Sequence, residues 1–106
     1  MKLRQIVVVA DESRPGDDER ARQKIEEIYE NLKGGADFQQ LAIRQSEALN
    51  ASVGGDMGWM GEGILPMHLE NVAFRLERGQ YSEIIEEAKK PGALYRIFYV
   101  EDRRNF

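Results

Sequence analysis

Gly54-Gly55-Asp56-Met57-Gly58-Trp59-Met60-Gly61-Glu62-Gly63 sets five glycines around the chain's single tryptophan. Glycine weakens a strand interior and favours tight turns, so this run reads as a turn, a short strand at about Met57 to Met60, and a second turn. Downstream, Pro66 opens a helix, where its missing N–H costs nothing. Leu65, Leu69, Val72, Ala73 and Leu76 form that helix's apolar stripe, and Gly79 ends it. Ser82 to Glu86 reads as a short strand and Glu87 to Ala93 as a charged loop carrying the turn pair Pro91-Gly92. Leu94 to Val100 reads as the last strand and Asp102 to Phe106 as a tail.

Upstream of the glycines, Asp37 and Gln40 have capping-box spacing at the start of a short helix that turns Phe38, Leu41 and Ala42 inward. Glu47 to Asn50 has room for one helical turn. A longer helix precedes these, from about Asp17 to Lys33. Its stripe is Ala21, Ile25, Ile28 and Leu32; acids open it, Lys33 closes it, and Gly34-Gly35 supplies the left-handed cap. Leu3 to Val9 is the first strand, β-branched from Ile6 to Val9, with Leu3, Val7 and Val9 on one face. A polar loop, Ala10 to Gly16, follows it. The order β-α-α-(α)-β-α-β-β predicts an α+β domain with a mostly antiparallel sheet.

The chain has 106 residues, which is one domain (1–106) with enough length for a core. Fifteen Lys and Arg against nineteen Asp and Glu give a net charge of −4. Without a basic block, a nucleic-acid partner is not expected. The absence of cysteine removes disulfides, thiolate metal sites and cysteine nucleophiles. The longest apolar run, Ile6 to Ala10, is far too short for a membrane span or a signal peptide.

Candidates for chemistry are few. His68 is the sole imidazole and lies off its helix stripe, which suits an exposed helix residue better than a ligand. Asp17 to Glu19 suit a helix N-terminus. Asp56 and Glu62 flank Trp59, but nothing in their spacing opposes them. The run Gly58 to Gly63 departs from the dinucleotide pattern, and its acid would repel phosphate. Gln5 and Arg96 are more informative, because each interrupts an apolar strand row: Leu3-Gln5-Val7, and Leu94-Arg96-Phe98-Val100. A charge on an apolar face needs a partner. One account is structural, with the Gln5 carbonyl accepting from Arg96, or Glu86 or Glu87 neutralising it. The other places both residues at the floor of a cleft.

A wider pattern joins these features. Gly35-Ala36-Asp37-Phe38, Leu41-Ala42, Ser46, Gly54-Gly55-Asp56-Met57-Gly58-Trp59, Pro66, Ala73-Phe74-Arg75-Leu76, Gly79, Ser82 and Val100-Glu101-Asp102-Arg103 occur in that order. The ordered set, from Leu3 to Arg104, resembles the parvulin (PpiC or rotamase) family, in the form found in SurA, PpiD and PrsA-type bacterial folding factors. The resemblance implies a four-stranded antiparallel sheet surrounded by about four helices. It implies peptidyl-prolyl cis-trans isomerisation of X-Pro segments in unfolded polypeptides, with no cofactor and no metal. It also implies that the domain is excised from a longer parent, periplasmic or otherwise extracytoplasmic, either free or membrane-anchored.

Carried over residue by residue, the resemblance places the family's two active-site histidines at Gln5 and Arg96. It places the usual Cys or Asp at Ala48. The proline pocket falls on Met57, Leu65 and Leu69, and a wider peptide-binding surface would add Trp59, Met60 and Met67. Some of this Met, Trp and Leu set must also serve as core, with Trp59 a candidate to pack inside. The greasy groove is kept and the polar constellation is lost. The expectation is a parvulin-type domain with weak isomerase activity; the alternative is a non-catalytic chaperone or peptide-binding module.

Overall fold

The structure, a computed structural model, describes residues 1–11, 13–89 and 92–103. Four strands, β1 (Lys2–Val9), β2 (Asp56–Trp59), β3 (Ile85–Lys89) and β4 (Gly92–Asp102), form one antiparallel sheet in the order β2-β1-β4-β3. Three helices, α1 (Asp17–Lys33), α2 (Phe38–Gln45) and α3 (Met67–Phe74), and a 3₁₀ turn at Ala51–Val53 surround it. This is the α+β arrangement that the order of elements predicts.

Period-2 alternation gives the sheet two faces. On one, Ile6, Val8 and Ala10 join Tyr95 and Ile97 in a closed core with Ala21, Ile25, Ile28 and Leu32 of α1 and Phe38, Leu41 and Ala42 of α2. On the other, Leu3, Phe98 and Val100 meet Leu69 and Ala73 of α3, with Met57, Met60, Leu65, Leu76 and Ile85 packed around them.

Helix α1 begins and ends where its stripe and charges place it. Asp17 is buried and does more than complement the helix dipole: its carboxylate accepts from the Asp11 amide at 2.6 Å and from Arg20 Nε at 2.7 Å. Asp37 caps α2, its side chain accepting from the Gln40 amide at 3.0 Å.

Several boundaries differ from the sequence expectation. Strand β4 runs two residues past each end of the expected Leu94 to Val100 and takes Asp102 from the expected tail. Strand β2 is shifted one residue earlier, and Pro66 precedes α3 rather than opening it. The helical turn expected at Glu47 to Asn50 forms at Ala51–Val53, because Ser46 and Glu47 are drawn alongside β1. The Glu47 amide donates to Val7 O at 2.7 Å, and Ser46 Oγ accepts from the Val7 amide at 3.1 Å. Helix α3 ends at Phe74, several residues before Gly79, so Leu65 and Leu76 pack from its flanks. The Gly79 amide instead donates to Val100 O at 2.7 Å.

The charged loop expected at Glu87 to Ala93 is, for most of its length, the β3–β4 hairpin, with register Ile85↔Arg96 and Glu87↔Leu94. The strand expected at Ser82 to Glu86 starts later, at Ile85, although Ser82 already donates its amide to Phe98 O at 2.8 Å. Pro91, half of the expected turn pair, lies outside the described residues, as do residues 104–106 of the expected tail.

Candidate functional site

The site is built on the sheet face that carries α3. Register places Gln5 opposite Phe98, Val7 opposite Arg96, and Arg96 opposite Ile85, so these side chains share one face. Glu87, two residues along β3 from Ile85, points to the same side. Gln5 and Arg96 therefore stand next to each other on adjacent strands. Arg96 Nη1 donates to Gln5 Oε1 at 2.5 Å, and Arg96 Nε donates to Glu87 Oε2 at 3.1 Å. The two alternatives of the structural account thus hold together: the Gln5 carbonyl accepts, and Glu87 neutralises. Glu86 falls on the opposite face, beside Tyr95, and lies 3.9 Å from Arg22.

The polar chain extends at both ends. Gln5 Nε2 faces Asn50 Oδ1 at 3.5 Å, and Asn50 Nδ2 donates to Gly55 O at 3.2 Å and Asp56 O at 3.3 Å. At the other end, Glu87 Oε1 lies 3.3 Å from His68 Nε2. The sequence gives no sign of this last contact. His68 is exposed, as its helix position indicates, but α3 carries it across to β3. The side chains of Arg96 and Glu87 retain only 13% and 9% of their accessible surface, so the pair is largely shielded from water.

The double glycine has a geometric cause at Gly55. Its φ is +74°, and a Cβ there would lie 2.0 Å from the Gln5 carbonyl oxygen. Only glycine lets the turn press against β1, where Gln5 donates its amide to Gly55 O at 3.0 Å.

Apolar residues border the polar chain. The Phe98 ring centroid is 5.6 Å from the Arg96 guanidinium carbon, and Phe98 belongs to the cluster that contains Leu69 and gathers Met57, Met60 and Leu65. The three expected pocket residues, Met57, Leu65 and Leu69, and Met60 of the wider expected surface thus belong to one cluster with Phe98, whose ring borders Arg96. Trp59 and Met67 do not join the cluster's core; both are exposed, with Met67 at 76%. Ala48 is half-buried next to the segment that runs along β1, its amide donating to Ser46 Oγ at 3.3 Å. Its methyl brings no polar atom to the site.

Behind this segment sits a scaffold of charge. Glu47 accepts from Lys24 Nζ at 2.8 Å, from the Val9 amide at 2.9 Å and from Arg20 at 3.4 Å. Burial pushes the Glu47 carboxyl up, but these donors together hold it below its ordinary range. Among the described residues, no group of three or more His, Asp or Glu converges as a metal site would require.

Comparison with known proteins follows the same outline. The family model described as "Rotamase: PPIC-type PPIASE domain" matches residues 6–102. The chaperone SurA of Alcanivorax borkumensis is 37% identical over 99 residues, which is 93% of this chain and 22% of the relative. The chain thus spans about a fifth of that protein's length. A solved PpiC-type peptidyl-prolyl cis-trans isomerase domain superposes with a TM-score of 0.77 at 31% identity, covering 97% of this chain and 89% of the other. The peptidylprolyl isomerase PrsA of Bacillus cereus superposes with a TM-score of 0.74 at 29% identity, covering 99% of this chain and 35% of that one. A family match from β1 through β4, joined to the same sheet and helices, makes the chain a member of the parvulin, or PPIC-type peptidyl-prolyl isomerase, family.

Proposed function

We propose that this domain binds extended, apolar, proline-containing segments of unfolded polypeptides, and that it isomerises their X-Pro bonds weakly. The binding surface is Met57, Met60, Leu65 and Leu69, with Trp59 and Met67 at its exposed margin. Methionine suits such a surface, because its flexible thioether adapts to varied side chains. The observation that carries the reading is the Arg96 guanidinium held between Gln5 and Glu87 at the edge of that apolar cluster.

The reaction makes and breaks no bond. An X-Pro peptide must cross a barrier of about 18–20 kcal/mol. A cleft that seats the proline ring and excludes water from a twisted amide lowers that barrier. Polar groups matched to the twisted amide lower it further, and losing one such group costs roughly 10²–10³ in rate. Here Gln5, Arg96 and Ala48 occupy the positions the resemblance assigns to two histidines and a Cys or Asp. Arg96 is always protonated and donates only, so it cannot change roles as an imidazole does. Ala48 offers no hydrogen bond at all.

A non-catalytic peptide-binding module is the second reading, and the side chain at Ala48 is the feature that favours it. The name "Chaperone SurA" carried by the relatives agrees with either reading. Placement of the parent protein outside the cytoplasm, in the periplasm, belongs to the same proposal; fractionation of cells expressing the full-length protein tests it.

Exchange spectroscopy on a Met-Pro peptide separates the readings. Weak isomerisation predicts binding with a small increase in the cis–trans exchange rate. Exchange at the uncatalysed rate in the presence of bound peptide supports the module. Combining Gln5→His, Ala48→Asp and Arg96→His should raise the rate if the domain is a lapsed isomerase. Full turnover by the unaltered domain would refute the weak-activity reading.

A further inference from the structure

We infer that Glu87 is the positioning residue of the cleft: it fixes the Arg96 guanidinium so that Nη2 is presented to the carbonyl oxygen of the residue preceding proline. The inference rests on the peptide-binding reading above and names the polar contact by which the segment would be held.

A guanidinium has five N–H donors in one plane. Glu87 Oε2 takes Nε and Gln5 Oε1 takes Nη1. Two acceptors on different nitrogens fix both the position and the tilt of that plane. Among the described residues, no hydrogen bond or ion pair engages Nη2. The guanidinium also lies 5.6 Å from the centroid of Phe98, which sits in the apolar cluster with Leu69. The spare donors are therefore at the border of the surface where a proline ring would rest.

Glu87 also settles the charge. An unpaired guanidinium this shielded would be costly, and its long side chain would swing toward water. Glu87 gives the guanidinium a counter-charge, so an apolar segment can approach while Nη2 keeps its donor capacity. The partners at each end are themselves held. Asn50 faces the Gln5 amide nitrogen, which leaves Gln5 Oε1 for Arg96, and His68 faces the other Glu87 oxygen.

The chemistry of this contact bears on turnover. A planar amide delocalises its nitrogen lone pair onto oxygen, and twisting the bond removes that delocalisation. A donor on the carbonyl oxygen therefore favours the planar ground states over the twisted transition state. Binding energy realised in the ground state tightens the complex without accelerating the step. Arg96 in this geometry strengthens binding and slows isomerisation relative to a group directed at the twisted form.

The test is nuclear magnetic resonance of the arginine side chains in the intact 106-residue domain, titrated with an unlabelled Ala-Met-Pro-Ala peptide. In the unaltered domain, the Arg96 Nη protons should be resolved by slow rotation and should shift with peptide, together with the Met57 and Leu69 methyls. Glu87→Gln keeps the side-chain shape; it should average the Arg96 signals and weaken peptide binding about tenfold, the scale of one charge-assisted hydrogen bond. Glu87→Ala should do the same, and Glu87→Gln decides the matter if that variant fails to fold. Unchanged Arg96 signals in Glu87→Gln would overturn the inference. Shifts at Met57 and Leu69 without any at Arg96 would also overturn it, and would leave the peptide-binding reading standing. No shift at any of the three would remove both.

Discussion

The two faces of this sheet share their strands and differ in composition. Toward α1 and α2, β1 and β4 present Ile6, Val8 and Ile97, all with no accessible surface, against Ile25 and Ile28, which have none either. Toward α3, the same strands present Gln5 and Arg96 among Leu3, Phe98 and Val100. The first face is a completed core. The second is apolar at one end and polar in the middle, bounded by methionines and by an exposed tryptophan. A strand that alternates cleanly can serve both, because every second residue answers to a different set of neighbours. The face whose row is broken by polar residues is the one on which we propose that peptide binds.

The comparison breaks most readily through the closed face. Ile25→Ala removes a side chain that packs on all sides, and the expected loss is about 3–5 kcal/mol of stability. Urea denaturation measures it, and the peptide-induced shifts of the remaining folded protein should be unchanged. A loss below ~1 kcal/mol would mean that this core is not the one the fold depends on.

Leu69→Ala is the matching change on the α3 face. Leu69 is also buried, at 4% exposure, but its cluster is fringed by half-buried side chains that can close in. The expected cost is about 2–3 kcal/mol, near the lower end for such truncations. Unlike Ile25→Ala, it should also weaken Met-Pro peptide binding. Equal peptide affinity in the two variants would dissolve the distinction between the faces.

A smaller effect tests the local reading of α2, which belongs to the closed face alone. Asp37→Ala removes the acceptor for the Gln40 amide and should cost about 1 kcal/mol, with no change in peptide affinity.

The smallest expected effect is on pH dependence, and it probes the seam between the faces. Asp17 is held below its ordinary value by the Arg20 side chain and the Asp11 amide. Glu47 is pushed up by burial, but Lys24, the Val9 amide and Arg20 outweigh that. A carboxyl lowered on folding contributes stability that is complete above its unfolded value and is lost as pH falls through its folded one. Stability should therefore decline as pH drops below the reference values of 4.5 for Glu47 and 3.8 for Asp17. Urea midpoints between pH 6 and pH 3 measure the slope, and Asp17→Asn should flatten part of it.

Much of this arrangement is legible in the sequence, for reasons that vary by residue. The bounds of α1 follow from one stripe, three acids, a lysine and two glycines, all local signals that agree. Gln5 and Arg96 stand out because period 2 is simple enough to expose an intruder. The β3–β4 hairpin is harder to read. Its strand holds Glu86, Glu87 and Lys89 at a sheet edge, where one side faces solvent and composition looks like a loop.

Without that strand, parity could not choose between Glu86 and Glu87 as the partner of Arg96. The register decides it, by placing Glu87 on the Arg96 face and Glu86 on the other. Asn50 and His68 escape sequence reading for a related reason. Neither breaks a pattern where it stands, and each reaches the site only because a turn or helix from elsewhere in the chain is packed beside the sheet.

The central claim is that the polar-centred face, and not the closed core, receives proline-containing peptide. An amide and methyl chemical-shift map of the domain titrated with a Met-Pro peptide tests it most directly. The account predicts the largest changes at Met57, Leu65, Leu69 and Trp59, with Gln5 and Arg96 following, and none beyond background at Ile25, Ile28 or Leu41. Changes centred on α1 and α2, or spread evenly over both faces, would contradict it.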